Sequence, residues 1–207
     1  MPGGDVITVT AKNYEREYGE NNPTFEFDVT GGTADGNAVI TCEATATSPA
    51  GTYPIIVSRG DVANTYATFV EGTLTITKAP LTVTAKSYTR KEGEDNPSFE
   101  LTYSGWKLGE TEAVLTVLPV ATTEATKDSP AGEYVITVNG GSAQNYTFNY
   151  VNGILTIEET SGVVTINGDG KPFDVYTMNG IKVRSQVTSL EGLPKGLYII
   201  NGKKISK

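Results

Sequence analysis

Most of the chain consists of two diverged copies of one sequence, and this internal repeat constrains the fold more than any other feature. The segment ITVTAKNYEREYGENNPTFEF, from Ile7, returns as LTVTAKSYTRKEGEDNPSFEL from Leu81, a shift of 74 residues. The second half returns with a shift of 81, since GTLTI at 72–76 corresponds to GILTI at 153–157. The difference indicates a seven-residue insertion in the second copy. The pattern therefore predicts two tandem modules of one fold.

Each copy has the residue pattern of short strands joined by turns. Segments such as ITVTA, TYPIIVS and GTLTI alternate apolar and polar side chains, as half-buried strands do, and Asn-Pro and Ser-Pro-Ala-Gly stretches separate them. We expect a mainly β chain with modules at 5–78 and 79–159 and a small antiparallel β domain at 160–207. The alternation suits a β-grasp arrangement and an Ig-like sandwich equally well. The insertion, around Trp106 to Leu115, is the one place where a short helix is predicted.

The repeated apolar residues are predicted to form the core of each module. Tyr14, Phe25, Tyr53 and Leu74 all have counterparts in the second copy at strand period. Modules of about 75 residues bury only roughly 60% of their unfolded surface, so these few side chains must supply most of the packing. We therefore interpret the aromatic residues as core and not as a binding stripe.

Charge separates the repeats from the tail. Residues 1–159 carry 9 Lys and Arg against 21 Asp and Glu, whereas residues 160–207 carry 7 against 3. The change places a boundary near Thr160. Affinity for nucleic acid comes largely from clustered Lys and Arg, so acidic modules argue against nucleic acid as a partner.

The order of motifs in each copy resembles the MBG family of bacterial extracellular repeats. The motifs are a strand such as LTVTAK, a Tyr-Gly turn before a proline (YGENNP at 18–23), a Pro-Ala-Gly-x-Tyr segment, an Asn-Tyr pair and a final G-x-L-T-I strand. The second copy has Glu92 in place of the tyrosine before glycine, and the first copy has Asn64-Thr65-Tyr66 where the second has the pair Asn145-Tyr146. The resemblance implies mostly β modules arranged in tandem in adhesin-like proteins, and it supplies no catalytic residues.

The tail reads as a series of hairpins. Strands are predicted on both sides of the turns at 167–170, Asn179-Gly180 and Asn201-Gly202, since Asn-Gly between alternating apolar runs is a strong hairpin signal. Its predicted core residues are Val175, Tyr176, Ile181, Val183, Leu190, Leu193, Tyr198 and Ile200.

The tail is also similar to the C-terminal sorting domains of proteins exported by the type IX (Por) secretion route in Bacteroidetes. The matching residues are Val175, Tyr176, Gly180, Lys182, Val183, Leu193, Pro194, Gly196 and Tyr198. The resemblance implies that the tail contacts the secretion machinery and directs export or surface attachment.

Little in the chain suggests catalysis. Histidine is absent, which removes the commonest general base and the commonest zinc ligand. The acidic clusters at 15–20 and 92–95 could supply a glycosidase pair or Ca²⁺ ligands, but they lie in polar turns and lack calcium-loop spacing, so a solvated charged surface is favoured. We therefore expect no enzyme activity, no metal and no cofactor.

Two features are weak candidates for ligand contact. Arg59-Gly60-Asp61 has the letters of an integrin-binding tripeptide, although a charged hairpin turn is the favoured interpretation because such short motifs recur by accident. Trp106 could stack on a sugar or anchor a protein partner, against core packing as the favoured alternative.

The leading interpretation is a non-catalytic adhesion or spacer protein of a Bacteroidetes-type bacterium, at the cell exterior or on the outer-membrane surface. A host glycan or an extracellular protein is the candidate ligand. The sequence shows no membrane span and no leader, and we expect a leader outside this sequence. The alternative is a set of accessory C-terminal repeats of a larger secreted protein whose active part lies upstream.

Overall fold

The computed structural model describes residues 6–159 and 172–206, which form two compact units. The first unit contains residues 6–88, 97–124 and 134–155, and therefore the whole first module with most of the second. The second unit contains residues 89–96 and 125–133 together with the described residues from 156 onward. Strands dominate both units, as the alternating pattern predicts.

The first module consists of seven strands in two sheets. They are β1 (Val6–Ala11), β2 (Tyr14–Glu17), β3 (Phe27–Thr30), β4 (Val39–Thr41), β5 (Gly51–Ser58), β6 (Tyr66–Val70) and β7 (Gly72–Thr77). One sheet has the order β3-β1-β6 and the other the order β2-β7-β5-β4. Strand β1 pairs parallel with β6, and β2 pairs parallel with β7. Each sheet thus contains a parallel pair, which distinguishes the module from an antiparallel Ig sandwich.

The second module repeats this plan. Its elements are β8 (Ala79–Ala85), β9 (Tyr88–Lys91), β10 (Leu101–Ser104), a 3₁₀ helix (Glu112–Val114), β11 (Val117–Thr122), β12 (Gly132–Ser142), β13 (Tyr146–Val151) and β14 (Gly153–Glu158). The sheets have the orders β10-β8-β13 and β11-β12-β14-β9. The short helix lies within the insertion, where the sequence predicts it, and is a single 3₁₀ turn.

The core of the first module follows the repeated apolar positions. Leu74 is fully buried, and Tyr14, Phe25 and Tyr53 are partly buried against the same cluster. The cluster continues into the second module through Ala79, Leu81, Ala143 and Tyr146. Within the first unit, therefore, the two repeats share one hydrophobic core.

The C-terminal sheet has the order β16-β15-β17-β18, built from β15 (Phe173–Thr177), β16 (Lys182–Val187), β17 (Leu197–Ile200) and β18 (Lys203–Ser206). The turn between β17 and β18 has positive φ at both Asn201 and Gly202, the conformation that Asn-Gly favours in a two-residue hairpin. The predicted strand and turn at 163–170 lie outside the described residues.

The predicted core of this sheet is only partly right. Val175, Leu193, Tyr198 and Ile200 are buried, together with Phe173 and Ile205, which were not predicted. Ile181 and Val183 were predicted to be core but are 64% and 40% exposed. Ile181 precedes β16, and β16 is an edge strand whose residues 182–186 are all exposed, so simple alternation predicts a buried face that this part of the strand lacks.

In the part of the chain that the structure describes, no helix is long and apolar enough to cross a membrane.

Candidate functional site

A polar site in the first unit joins the two repeats. The Tyr18 hydroxyl of the first module donates a hydrogen bond to Glu110 Oε1 of the second at 2.7 Å. The Tyr146 hydroxyl donates to the other oxygen of the same carboxylate. The two phenol rings meet edge to face, with centroids 5.9 Å apart. We call Tyr18, Lys107, Glu110, Asn145 and Tyr146 the intermodule clasp.

Tyr18 reaches the second module because of the turn that follows β2. Gly19 has a φ of +83°, and a Cβ at this position would lie 2.7 Å from Lys107 Cβ. Glycine therefore satisfies two demands here, a left-handed backbone and a close approach to the insertion. The Lys107 ammonium pairs with Glu17 Oε1 at 2.6 Å beside this contact. The seven-residue insertion of the second repeat thus packs directly on the Tyr-Gly turn of the first.

Asn145 adds a second connection. Its side-chain oxygen accepts the backbone N–H of Ala50 at 3.0 Å, and its carbonyl accepts the N–H of Ala79 at 2.9 Å. Nearby, the Lys78 ammonium donates to the Ala143 carbonyl at 2.9 Å. Lys78, the one residue between β7 and β8, and Ala79 after it are therefore both hydrogen-bonded to the loop between β12 and β13.

The clasp keeps its phenols protonated. Burial raises the pKa of Tyr18 and of Tyr146, and the hydrogen bonds to Glu110 raise both pKa values further, since a phenolate beside a carboxylate is unfavourable. The Tyr146 oxygen also accepts the backbone N–H of Lys107 at 2.9 Å. Each oxygen of the Glu110 carboxylate thus accepts a hydrogen bond from a phenol, and the bond from Tyr18 links the two modules.

Trp106 lies beside the clasp. It is half-buried, with its ring centroid 5.3 Å from that of Tyr146 in an edge-to-face contact and 5.6 Å from that of Tyr103. Much of its surface is therefore used inside the first unit, and its role in ligand contact stays a prediction.

The Arg59-Gly60-Asp61 turn is hydrogen-bonded to its own module. Arg59 Nη1 donates to the carbonyls of Val62 and Asn64 at 3.0 and 2.8 Å, and its guanidinium lies over the Phe69 ring. The Asp61 carboxylate accepts the backbone N–H of Asn37. Both charged groups thus stabilise the turn, and ligand binding by them stays a prediction.

The acidic clusters considered for catalysis are divided among separate contacts. Glu20 accepts the backbone N–H of Glu17, and Glu94 accepts that of Lys91. Asp95 pairs with Lys127 at 3.2 Å. In the described ranges, no group of three or more His, Cys, Asp or Glu residues could hold a metal ion.

The sorting-like residues of the tail belong to one sheet or its turns. Val175, Leu193 and Tyr198 are buried, and the Tyr198 hydroxyl donates to the Pro194 carbonyl at 2.9 Å. A Cβ at Gly196 would lie 3.7 Å from the Tyr198 ring, Gly180 has a φ of +74°, and Val183 is exposed on β16.

Asp174 organises the pairing of β15 with β16. It accepts hydrogen bonds from Lys182 Nζ at 2.7 Å, Ser185 Oγ at 2.8 Å and the Gln186 N–H at 2.9 Å. The Lys182 ammonium, and then the other two donors, hold the pKa of this carboxyl well below its usual range. The ammonium also lies over the Tyr176 ring. The sequence pattern did not indicate this role of Asp174.

Sequence reasoning also missed a buried arginine in each module. Arg16 is 6% exposed and donates to Asn22 Oδ1 at 2.8 Å and to the carbonyls of Glu17 and Thr45 at 3.1 and 2.5 Å. Arg90, 5% exposed, makes the same contacts with Asn96, Lys91 and Thr126. The signal was present, because arginine and asparagine keep the same spacing in both copies.

The fold and the site together define a tandem β-repeat protein whose modules are joined by a hydrogen-bonded interface. The family described as MBG domain (YGX type) matches the chain twice, over residues 7–75 and 81–156. The chain therefore belongs to the MBG family, whose members are extracellular repeat domains, and the expected tandem pair is confirmed. No curated protein matches the chain. The tyrosine and glycine after which the type is named correspond in the first module to Tyr18 and Gly19, at the clasp.

Proposed function

We propose that the chain is a non-catalytic spacer of a secreted or surface-exposed bacterial protein, with its two repeats held as one piece by the intermodule clasp. The observation that carries this proposal is the Glu110 carboxylate, which is shared by Tyr18 of one module and Tyr146 of the other. Only Lys78 separates β7 from β8, and its side chain is hydrogen-bonded as well. So short and so well-held a connection fixes the position of the first module relative to the part of the second module that lies in the first unit.

The distance between two spin labels tests this proposal in the full chain. Ser58→Cys and Thr122→Cys place labels on exposed positions of the two modules, in a Cys42→Ser background that removes the natural thiol. We expect one narrow distance distribution that broadens with Glu110→Ala. Glu112→Ala, which removes an exposed carboxylate two residues away, is the matched control and should leave the distribution narrow. A broad distribution with the clasp intact would contradict the spacer proposal.

The tail is proposed to direct export and attachment at the outer-membrane surface of a Bacteroidetes-type cell. Its sorting-like residues and the Asp174 network, which form one compact sheet, support this assignment. The test appends residues 160–207 to a periplasmic reporter in a bacterium with a type IX secretion route. Export of the reporter is expected, and retention in the periplasm would contradict it.

Adhesion to a host glycan or an extracellular protein is the second proposed role, and it is tested by binding the full chain to arrays of both ligand classes. Saturable binding that is lost in Arg59→Ala, Asp61→Ala or Trp106→Ala would assign the ligand to those residues. Failure to bind would favour the alternative, in which these are accessory repeats of a larger secreted protein.

A further inference from the structure

The first two strands of the first module, β1 and β2, run parallel to its last two strands, β6 and β7. The pairing of β1 with β6 extends from Val6↔Tyr66 to Thr10↔Val70, and that of β2 with β7 from Tyr14↔Leu74 to Glu17↔Thr77. The offset between partners is 60 residues in both ladders. The two ladders are therefore one parallel pair that passes from one sheet to the other.

The pair stays hydrogen-bonded where it changes sheets. Asn13 Oδ1 accepts the N–H of Thr73 at 2.8 Å, which bridges the gap between the two ladders. Gly72 permits this crossing, because a Cβ there would lie 2.5 Å from the Lys12 carbonyl oxygen. At the far end of the pair, the Tyr18 N–H donates to the Thr77 carbonyl at 2.9 Å.

The second module has the corresponding parallel ladder of its first sheet and the corresponding bridging hydrogen bonds. Strands β8 and β13 pair parallel from Ala79↔Tyr146 to Thr84↔Val151. Ser87 Oγ accepts the N–H of Ile154 at 3.0 Å, in the position of the Asn13 bridge. The Glu92 N–H donates to the Glu158 carbonyl at 3.0 Å, in the position of the Tyr18 contact.

This topology determines how a pull along the chain acts on a module. Because the terminal strands are parallel, the chain enters at one end of the pair and leaves at the other. Tension slides β1 and β2 along β6 and β7, so the hydrogen bonds of the ladder bear the load together. If the same two strands were pulled apart from one end, the bonds would break one after another.

We propose that each module is a force-bearing element, in which the parallel pair of terminal strands resists extension of the chain. This further function concerns the inside of a module and does not depend on the intermodule clasp. If a flexible loop joined the two ends of a module, it would lengthen under tension. A ladder loaded in shear instead keeps the two ends of the module at a fixed separation until its hydrogen bonds rupture.

Single-molecule pulling in two directions on the same module tests the proposal. The full chain with Cys42→Ser carries cysteine handles either at Val6 and Lys78, which load the ladder in shear, or at Val6 and Tyr66, which peel it from one end. All handle positions are exposed. The shear variant also carries Tyr66→Ala and the peeling variant carries Lys78→Ala, so that both variants lose the same native side chains.

We expect the rupture force at one loading rate to be several-fold higher in shear than in peeling, while thermal unfolding without force is the same for both variants. Forced unfolding depends on the barrier along the pulling direction, whereas thermal stability does not depend on it. Equal rupture forces in the two directions would overturn the proposal. Clasp failure would instead appear as a broad distance distribution in the spin-label experiment, so the two outcomes are distinguishable.

Discussion

Replacing Arg16 with methionine tests what holds the turns of a module together. The guanidinium connects the end of β2 with the Asn22 turn and with the Thr45 carbonyl in the loop between β4 and β5. Asn22 continues the chain of contacts by donating to the Ala44 carbonyl at 2.6 Å. Methionine keeps most of the apolar volume of the side chain and removes every donor.

The cost follows from the groups left behind. Three acceptors lose their partner, and a part-buried acceptor without one costs roughly 1–3 kcal/mol. This loss of stability is offset in part. Burying the Arg16 guanidinium costs several kcal/mol, because no carboxylate neutralises it, and methionine does not have this cost. We expect a net destabilisation of about 3 kcal/mol. For the first unit this lowers the thermal midpoint by roughly 10 °C.

Urea unfolding of the full chain, followed by circular dichroism, measures the effect. The midpoint for Arg16→Met should fall with little change in slope, since the surface exposed on unfolding is nearly the same. Arg90→Met is the matched variant in the second module and should behave similarly. Lys86→Met removes an exposed cation and should leave the midpoint unchanged. If Arg16→Met were as stable as the parent, the guanidinium would not be a structural connection.

Three further predictions concern the clasp and the tail. Glu110→Ala leaves two phenols without their carboxylate acceptor and should destabilise the first unit by about 2–3 kcal/mol, which Trp106, the only tryptophan, reports by its fluorescence. Because the pKa values of Tyr18 and Tyr146 are raised in the folded state, their contribution to stability is complete below the ordinary value of 10 and is lost as pH rises above it. Phenolate absorbance measures this, and titration of all 11 tyrosines together near pH 10 without unfolding would contradict it. The lowered pKa of Asp174 stabilises the tail above its ordinary value of 3.8, and this contribution is lost as pH falls below it, so Asp174→Asn should remove the acid sensitivity seen by amide exchange.

The repeat and the turn residues were sufficient to predict the architecture. Strand alternation and the Asn-Gly turn at Asn201 depend on local sequence, which is why those predictions are confirmed. The exposure of Ile181 and Val183 could not be predicted, because it follows from the edge position of β16, whose residues 182–186 are all exposed. Which strand lies at the edge of a sheet depends on the pairing of distant segments, and alternation within the strand does not indicate it.

The clasp was harder to predict because its residues are far apart in the chain. Tyr18 and Glu110 are separated by 92 residues, and no periodicity connects them. The seven-residue insertion was visible, but length alone gives it no partner. The repeated Arg16 and Arg90 could have been identified, since a long cation retained twice in an acidic module beside a retained asparagine indicates a structural role.

The clasp explains two differences between the repeats. Ala50 in the first module gives its backbone N–H to Asn145 of the second, whereas the corresponding N–H of Ala131 is accepted at 2.7 Å by Glu92 of its own module. Glu92 stands where the first copy has Tyr18, so one substitution exchanges an outward contact for an internal one. The insertion that receives Tyr18 occurs in the second copy alone. The exchange of Tyr18 for Glu92 and the insertion found in the second copy are thus both explained by the contacts that join the first module to the second.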